Sequence, residues 1–373
     1  MLAQAFEPAR GGGPRWTTEL AHGLAARGHD VRVLTRQYDG YSGIFRPRTD
    51  LELHYLRMPT LRGCPLFSRR IVQGHVESFR PDIIQTSSPS VPDVLMPRPT
   101  RHGAPYATLF HAQLGASLPA HLIQYVNLIR LKKDWAAIAV TSDYWREWLV
   151  QRGVPEERIR VIPSTVAKRF ASGPVAGTRR VARTALFVGG LDRVQSYKRF
   201  DLLIEAATIL KRKHPDFAWY LNVVGDGTLR AGFQAAVASA GLEKTITFHG
   251  KASDEELHRL YSSTALVVLP SSDVREGWGL VLAEALCCGA PILLTDGIGG
   301  TRTFGAAPGA TIVPKNDAAA LAEGIRARLL QDDDLDAARI AFARQFHSTR
   351  VVEGYEVLYA GAIERWNGRS PTR

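Results

Sequence analysis

Cysteine is scarce in this chain, with three among 373 residues. Cys64, Cys287 and Cys288 are too few for a disulfide framework, and their positions do not match the spacing of a metal site. Cys287 and Cys288 are adjacent within an apolar run that is typical of a helix. We therefore expect them to be small buried side chains rather than redox groups.

Long hydrophobic runs are also missing. No apolar stretch approaches the roughly 18 residues that a membrane-spanning helix needs, and residues 1–13 lack the basic and apolar regions of a signal peptide. We therefore expect a cytoplasmic protein. Two stretches, 62–71 and 123–135, mix basic and apolar residues. Peripheral contact with anionic lipid at the inner face of the membrane is one interpretation, and ordinary helices that cover a sheet are the favoured one.

A surplus of acidic residues is absent, since 47 Lys and Arg stand against 36 Asp and Glu and give a net charge of +11. Residues 1–165 hold 21 of those basic residues and 14 of the acidic ones, so the first half carries most of the surplus. This favours an anionic partner, such as a phosphorylated ligand or an anionic lipid. The basic residues are dispersed, without an aromatic RNA motif or a recognition helix, so we expect no nucleic-acid partner.

The G-x-G-x-x-G pattern of nicotinamide-dependent oxidoreductases is missing as well. Two glycine-rich segments could hold it, ARGGGPRW at 9–16 and VGGLDRV at 188–194. Neither has the required spacing of glycines. This argues against a nicotinamide-dependent oxidoreductase.

The sequence does contain a repeated alternation of short apolar strands and amphipathic helices, which predicts two parallel, doubly wound sheets. The predicted strands are 2–6, 29–35, 82–87, 106–111, 136–142 and 158–163 in the first half, and 184–192, 219–227, 246–250 and 265–272 in the second. Ligands of such sheets bind beyond the carboxyl ends of the strands. The predicted fold class is therefore α/β, with two Rossmann-like domains facing a central cleft.

Residues 166–183 interrupt this alternation with Gly, Pro, Ser and basic residues, and we interpret them as a linker. The predicted N-terminal domain is then 1–165, and the predicted C-terminal domain is 184–350. A final helix at 351–366 is expected to pack back toward the N-terminal domain.

The segment EGWGLVLAE, at 276–284, places two glutamates eight positions apart. The paired carboxylates of glycosidases flank one bond at roughly 5 to 9.5 Å, whereas eight residues of helix separate two α-carbons by about 12 Å. Glu276 and Glu284 are thus better placed to contact two ends of one elongated ligand. The Gly-Trp-Gly between them exposes backbone N–H groups at a helix N-terminus, which favours an anion. A nucleotide sugar has hydroxyls at both ends and phosphates in the middle.

This segment resembles the E-x7-E signature of the family-4 retaining glycosyltransferases, which have the GT-B fold. Other segments resemble landmarks of that family, in order, along nearly the whole chain: FEPARGGG, TLFHAQLG, FVGGLDRVQSYKRFDLLIEA, VVGDG and FHGKASDEELHRLYSSTALVVLPS. A lone E-x7-E would be weak evidence, but the ordered set is specific. The resemblance implies a retaining hexosyltransferase whose N-terminal domain takes the acceptor and whose C-terminal domain takes the nucleotide-sugar donor.

The resemblance also implies roles for individual residues. Glu276 would bind hydroxyls of the donor sugar, Glu284 would bind the ribose, and Lys198 would neutralise the leaving diphosphate. His111, at a strand end, would contact the donor sugar near the reacting carbon, so the catalytic candidates are His111, Lys198 and Glu276. Main-chain contacts to the sugar and diphosphate are expected from glycine-rich backbone at Gly12, Gly13, Gly277, Trp278, Gly279 and Leu280.

The sequence departs from the family at one position of the donor site. Where the family often has an arginine directly after a Val-Gly pair, this chain has Gly190, and Arg193 is the candidate to supply the second positive charge. Gly225 and His249 follow predicted strands and are further donor-binding candidates. Capping of local backbone is the alternative role for His249.

The expected reaction transfers a hexose from a UDP- or GDP-linked donor to an acceptor hydroxyl on a glycan, a lipid-linked molecule or a small molecule. Neither a metal nor another cofactor is expected, because Lys198 and the helix N-terminus can supply the positive charge that magnesium supplies elsewhere. The acidic run Asp332–Asp334 is expected to be solvated. A sugar phosphorylase and a nucleotide-sugar hydrolase on the same fold are the alternatives.

Overall fold

The computed structural model describes residues 1–3, 5–9, 12–61, 64–65, 67, 69–86, 103–110, 128–129 and 131–368. The chain forms two compact units. The first comprises Met1–Thr165 together with Ser348–Arg373, and the second comprises Val166–His347. The C-terminal residues therefore belong to the first unit, although the second unit precedes them in the chain.

The first unit contains strands and helices in alternation. Its described strands are β1 (Val31–Arg36), β2 (Gly43–Arg48), β3 (Leu51–Leu56), β4 (Thr60–Leu61), β5 (Cys64–Pro65), β6 (Ile84–Thr86), β7 (Tyr106–Phe110), β8 (Trp135–Val140) and β9 (Ile159–Val161). Its described helices are α1 (Gly12–Ala26), α2 (Arg69–Phe79), α3 (Asp143–Val150) and α12 (Ser348–Asn367), with a 3₁₀ turn at Glu156–Arg158.

The first unit's sheet is mainly parallel. Strands β1 and β3 pair in parallel, as do β6, β7, β8 and β9 in that order. Leu2 joins the two groups by bridging Leu34 of β1 and Thr86 of β6. Of the predicted strand at 2–6, the described residues contribute this bridge at Leu2. Strand β2 adds an antiparallel edge next to β3.

Helix α12 completes the core of the first unit. Val351, Tyr355 and Leu358 are buried with the residues of α1, and the rings of Trp16 and Tyr355 lie 5.8 Å apart. Arg365, near the end of α12, donates to the Ala136 carbonyl of β8 at 3.2 Å. The predicted final helix is therefore present and begins at Ser348. Neither α12 nor any other helix among the described residues is long and apolar enough to cross a membrane.

The second unit, all of whose residues are described, has a six-stranded parallel sheet in the order β12-β11-β10-β13-β14-β15. Its strands are β10 (Val181–Val188), β11 (Tyr220–Val224), β12 (Ile246–Gly250), β13 (Thr264–Leu269), β14 (Ile292–Thr295) and β15 (Thr311–Val313). Its helices are α4 (Lys168–Ala171), α5 (Phe200–Lys213), α6 (Arg230–Ser239), α7 (Asp254–Ser263), α8 (Leu280–Cys287), α9 (Thr301–Gly305), α10 (Ala318–Leu330) and α11 (Asp336–Ala343), with 3₁₀ helices at Arg193–Lys198 and Arg344–Phe346.

Alternate residues of this sheet face two separate cores, because side chains along a strand point to opposite faces. Leu266 and Val268 of β13 pack in one cluster with α5 and α10. Val267 and Leu269 of the same strand pack in the other cluster with α8. Both faces are covered, so the predicted doubly wound α/β architecture is confirmed in this unit.

Residues 166–183, which we interpreted as a linker, belong to the second unit. Val166 and Phe170 are buried in its core, and the Val166 N–H donates to the Phe346 carbonyl at 3.1 Å. The Gly- and Pro-rich composition does accompany irregular backbone here. Two apolar side chains nevertheless anchor that backbone to the unit.

Cys287 and Cys288, at the end of α8, are buried free thiols, as expected from the sequence. Burial raises the pKa of Cys288 to about 12 and also raises the pKa of Cys287. Since the thiolate is the reactive form, both side chains are packing groups rather than nucleophiles.

Candidate functional site

Lys198 and Glu276, two residues that the sequence singles out, form an ion pair in the second unit. Lys198 Nζ donates a hydrogen bond to Glu276 Oε2 at 2.7 Å. Lys198 ends the 3₁₀ helix that follows β10, and Glu276 lies in the loop between β13 and α8. Because β10 and β13 are parallel neighbours, their carboxyl ends meet at one edge of the sheet. The two side chains are 11% and 12% exposed, so water is largely excluded from the pair.

The pKa of Lys198 reflects this pairing. Burial lowers the pKa, but the charge of Glu276 and the hydrogen bond to it raise the pKa above its ordinary value, with smaller contributions from Tyr197 and Glu284. Lys198 is therefore an ammonium at neutral pH. Since Glu284 acts on it as well, both glutamates of the E-x7-E segment lie within electrostatic range of one buried lysine.

Helix α8 begins close to Glu276 in the chain and has no side-chain cap at its N-terminus. Its N-cap residue, Gly279, has a φ of 105°, a left-handed conformation that glycine adopts without steric cost. The first N–H groups of a helix have no partner within the helix, so an uncapped N-terminus is suited to bind an anion. The predicted main-chain contacts of Gly277–Leu280 lie in this segment.

Glu284 lies in the middle of α8 and is 3% exposed. The hydroxyl of Tyr261, on α7, donates a hydrogen bond to Glu284 Oε2 at 2.9 Å. Sequence reasoning singled out Glu284 and missed Tyr261. The apolar spacing of α7 favours a buried ring at this position, but it does not identify a partner on another helix.

The loops after β10 and β11 pack backbone against backbone. The Gly189 N–H donates to the Val224 carbonyl, and the Leu191 N–H donates to the Asp226 carbonyl, both at 3.0 Å. Gly225 has a φ of 142°, and a Cβ added there would overlap the carbonyl oxygen of Gly189. Glycine is therefore required at 225 to bring these two loops together at the edge that holds Lys198.

Three further donor-binding candidates lie at the same edge of the second unit. The Gly190 N–H donates to Gln195 Oε1 at 3.1 Å, so this backbone group is paired within its own loop. Arg193, the first residue of the 3₁₀ helix, is exposed. His249 is exposed too, and its Nε2 lies 2.8 Å from Asn222 Oδ1. Their ligand contacts stay predictions, and Gln195 is a neighbour that sequence reasoning missed.

Trp278 anchors the loop before α8 by its packing. It is buried, and its ring lies 5.0 Å from those of both Phe304 and Phe346.

The Gly299 N–H, in the turn after β14, donates to the Glu276 carbonyl at 3.0 Å. Sequence reasoning missed Gly299, although the glycine run that ends the segment DGIGG was a signal for a close backbone approach.

The remaining predicted residues lie elsewhere in the chain. Gly12 and Gly13 belong to the first unit and form the first turn of α1, which begins at Gly12 rather than at the predicted residue 15. Gly13 is exposed, and its carbonyl accepts a hydrogen bond from Thr17 Oγ1 at 2.8 Å. His111 lies outside the described residues, as do parts of the two stretches that mix basic and apolar residues.

The acidic run at 332–334 is not simply solvated. Asp333 accepts hydrogen bonds from Arg328 and Arg339, both of which are buried, and Arg339 also pairs with Asp336 at 3.1 Å. This expectation was therefore wrong for Asp333, which joins the ends of α10 and α11. Within the part of the chain that the structure describes, no group of three or more His, Cys, Asp or Glu is arranged to hold a metal ion.

Two protein-family models match the chain. The model described as Glycosyltransferase Family 4 matches residues 10–170. The model described as Glycosyl transferases group 1 matches residues 180–346. The second match contains the E-x7-E segment and Lys198.

Two curated relatives are also named as sugar transferases. The chain is 30% identical to a D-inositol 3-phosphate glycosyltransferase of Thermobispora bispora over 251 residues, which cover 61% of this chain and 56% of that protein. It is 25% identical to a phosphatidyl-myo-inositol mannosyltransferase of Mycobacterium leprae over 327 residues, which cover 86% of this chain and 84% of that protein. The chain thus spans about half the length of the D-inositol 3-phosphate glycosyltransferases that it matches.

Solved structures share the fold over nearly the whole chain. A glycosyltransferase from Rickettsia africae matches with a TM-score of 0.73 at 19% identity, covering 99% of both chains. HepE of Anabaena in complex with UDP matches with a TM-score of 0.69 at 15% identity, covering 95% of this chain and 98% of that one. At such identities the likeness shows the fold, and the predicted GT-B class with two Rossmann-like domains is confirmed.

Proposed function

This chain belongs to the family-4 glycosyltransferases, and we propose that it transfers a hexose from a UDP- or GDP-linked donor to an acceptor hydroxyl, with retention of the anomeric configuration. The observation that carries this proposal is the buried Lys198–Glu276 pair, whose glutamate lies in the segment leading to the uncapped N-terminus of α8. It supplies one fixed positive charge and one hydroxyl-binding carboxylate in the same water-poor place. A nucleotide sugar requires the positive charge for its diphosphate and the carboxylate for its sugar hydroxyls.

In this proposal Lys198 and the first N–H groups of α8 bind the diphosphate. Negative charge builds up on the leaving phosphate oxygen as the glycosidic bond breaks. A fixed ammonium and a helix N-terminus stabilise that charge without having to reorganise, and they act more strongly where water is excluded. Because these groups bear positive charge themselves, we propose that transfer does not require a divalent metal ion.

The two glutamates then serve opposite ends of the donor. Glu276 accepts hydrogen bonds from hydroxyls of the sugar, and Glu284, within α8, accepts them from the ribose. Both are hydrogen-bonded and largely buried in the second unit, so neither is a freely solvated surface carboxylate. This division supports a donor that carries hydroxyls on both sides of its phosphates.

For the chemical step we propose a front-face reaction. The acceptor hydroxyl attacks the anomeric carbon from the side that the diphosphate leaves, and its proton passes to the departing phosphate oxygen. The new bond therefore forms on the face of the old one, which preserves the configuration. The sugar passes through an oxocarbenium-like state, as in other glycosyl transfers.

The names of the curated relatives guide the choice of acceptor. One acts on D-inositol 3-phosphate by its name, and the other on phosphatidyl-myo-inositol. The basic surplus of residues 1–165 is compatible with a phosphorylated acceptor of either kind. We therefore propose a phosphate-bearing polyol, free or lipid-linked, as the first class of acceptor to test. A lipid-linked acceptor would entail peripheral contact with a membrane.

The test is a product analysis with a panel of UDP- and GDP-hexoses and both acceptor types, in the presence of EDTA. We expect one donor to give a glycosylated acceptor whose anomeric configuration, read by NMR, matches that of the donor. Lys198→Met should abolish the product, whereas Lys211→Met, at an exposed lysine of α5, should not. Transfer to inorganic phosphate or to water in place of either acceptor would instead support the phosphorylase or hydrolase alternatives.

A further inference from the structure

Tyr261 and Glu284 form a buried hydrogen bond between α7 and α8. The hydroxyl of Tyr261 lies 2.9 Å from Glu284 Oε2. Tyr261 is fully buried, and Glu284 is 3% exposed. A carboxylate in such a place needs hydrogen bonds, because burial removes the water that would otherwise solvate its charge.

Tyr261 is itself held by rigid neighbours. Its ring packs edge-on against that of Phe170, with centroids 5.7 Å apart and planes at 83°. Helix α7 is fixed at its start by the capping box of Ser253 and Glu256. The side chain of Arg180 donates to the Tyr261 carbonyl at 3.5 Å. The hydroxyl therefore occupies a set position relative to α8.

The chemistry of this bond suits a carboxylate that must bind hydroxyl groups. A carboxylate accepts hydrogen bonds and donates none, whereas a phenol donates one without adding a positive charge. Tyr261 can thus fix the plane of the carboxylate and leave its negative charge to attract ligand hydroxyls. A lysine or arginine in the same place would neutralise that charge.

We propose that Tyr261 is a positioning residue, which orients the carboxylate of Glu284 toward the two adjacent hydroxyls of the donor's ribose. The inference rests on the proposed function, since it assumes that Glu284 binds the ribose. Tyr261 itself touches no substrate. Its effect is transmitted through one hydrogen bond, and it should therefore depend on the hydroxyls of the ligand.

The experiment is calorimetric titration of the full chain and of Tyr261→Phe with whichever of UDP and GDP binds, and with its 2′,3′-dideoxy analogue. Phenylalanine keeps the ring that packs on Phe170 and removes the hydroxyl. We expect the variant to bind the ribonucleotide about tenfold more weakly, as for loss of one hydrogen bond to a charged group. Binding of the dideoxy analogue should change by less than about twofold, because the hydroxyls concerned are missing.

Tyr220→Phe is the matched control, since Tyr220 lies on β11 of the same unit and is 55% exposed. It should bind both nucleotides as the parent does. Thermal melting checks the fold of each variant. Should Tyr261→Phe not fold, Phe170→Leu is the second variant, because it moves the ring of Tyr261 and keeps its hydroxyl. We expect it, too, to lose affinity for the ribonucleotide only.

Equal weakening of both nucleotides in Tyr261→Phe would mean a general defect of packing and would overturn the inference. Unchanged binding of both would overturn it as well. In either case the proposed function would still stand if the parent binds the nucleotide and Glu284→Gln does not. Failure of the parent to bind UDP or GDP would overturn the proposed function, and the inference with it.

Discussion

The ammonium of Lys198 and the carboxylate of Glu276 lie 2.7 Å apart and neutralise each other. Each would be costly to bury without the other. In the proposed function the ammonium binds a diphosphate and the carboxylate binds a sugar. A bound diphosphate would share the ammonium and leave the carboxylate available to sugar hydroxyls. In the proposed function the pair therefore holds both side chains in place before the donor binds and contacts the donor afterwards.

Removal of one partner of this pair should destabilise the second unit. We expect Lys198→Met and Glu276→Gln each to lower the free energy of unfolding by roughly 3 kcal/mol, because the first leaves a buried charge unpaired and the second removes the counter-charge of a buried ammonium. The double variant should lose less than the sum of the two, since neither charge remains. Denaturant unfolding measures all three values.

The control for this cycle is the exposed pair of Arg199 and Asp201, in which the aspartate side chain is 55% exposed. Asp201→Asn should cost less than about 1 kcal/mol, because solvent screens such a pair. Strictly additive losses for Lys198→Met and Glu276→Gln would contradict our view that the two charges depend on each other.

The close approach of two loops should make Gly225 intolerant of any side chain. A Cβ at this position would overlap the carbonyl of Gly189, and the φ of 142° is unfavourable for other residues. We expect Gly225→Ala to lower the free energy of unfolding by about 3 kcal/mol and to weaken nucleotide binding. Gly232→Ala is the control, since a Cβ there meets nothing within 4 Å. On helix α6 it should stabilise by up to about 1 kcal/mol. A Gly225→Ala protein that melts like the parent would refute the packing argument.

Glu52 should make the first unit sensitive to acid. Burial raises the pKa of Glu52, but hydrogen bonds from Arg46, His54 and Arg32 lower it from 4.5 to about 2. A carboxyl group whose pKa is lowered on folding stabilises the fold when the pH lies above the pKa of the unfolded state. That stabilisation is lost as the pH falls from about 4.5 toward 2. The shift corresponds to about 3 kcal/mol, which solvent screening at the 65% exposed Arg46 reduces to about 2 kcal/mol.

The measurement for Glu52 is the unfolding free energy between pH 6 and pH 2. Glu52→Gln should be less stable than the parent at pH 6, and the difference should shrink as the pH falls through this window. Glu77→Gln is the control, because Glu77 is exposed and accepts its hydrogen bond from the neutral Gln73. A difference between the parent and Glu52→Gln that does not vary with pH would contradict the assignment.

Much of the fold was predictable because short apolar strands and amphipathic helices leave local patterns. Strand β12 has the predicted bounds, and β10, β11 and β13 lie within a few residues of theirs. The start of α7 was predictable from the capping box at Ser253. Local pattern failed at 166–183, where Phe170 is fully buried despite a composition typical of linkers. The interior that receives this ring is built from residues far along the chain.

The candidate site was predictable in its principal groups and not in the contacts that hold them. The spacing and chemistry of the E-x7-E segment identify Glu276 and Glu284. The hydrogen bond from Tyr261 to Glu284 leaves no local signal, because it joins two helices through their tertiary packing. The pairing of Asp333 with two buried arginines leaves no local signal either, and its charge was therefore expected to be solvated.

In the proposed function Lys198 binds the diphosphate of a nucleotide donor, and calorimetric titration measures that contact. The parent and Lys198→Met should be titrated in EDTA with UDP, with GDP and with the corresponding nucleosides. We predict that one diphosphate binds the parent with a micromolar Kd and binds Lys198→Met roughly 30-fold more weakly or worse, whereas the weak binding of the nucleoside stays unchanged. Equal affinity of the diphosphate for both proteins would rule out this role of Lys198, as would a parent that binds neither diphosphate, whether in EDTA or in a repeat titration with magnesium.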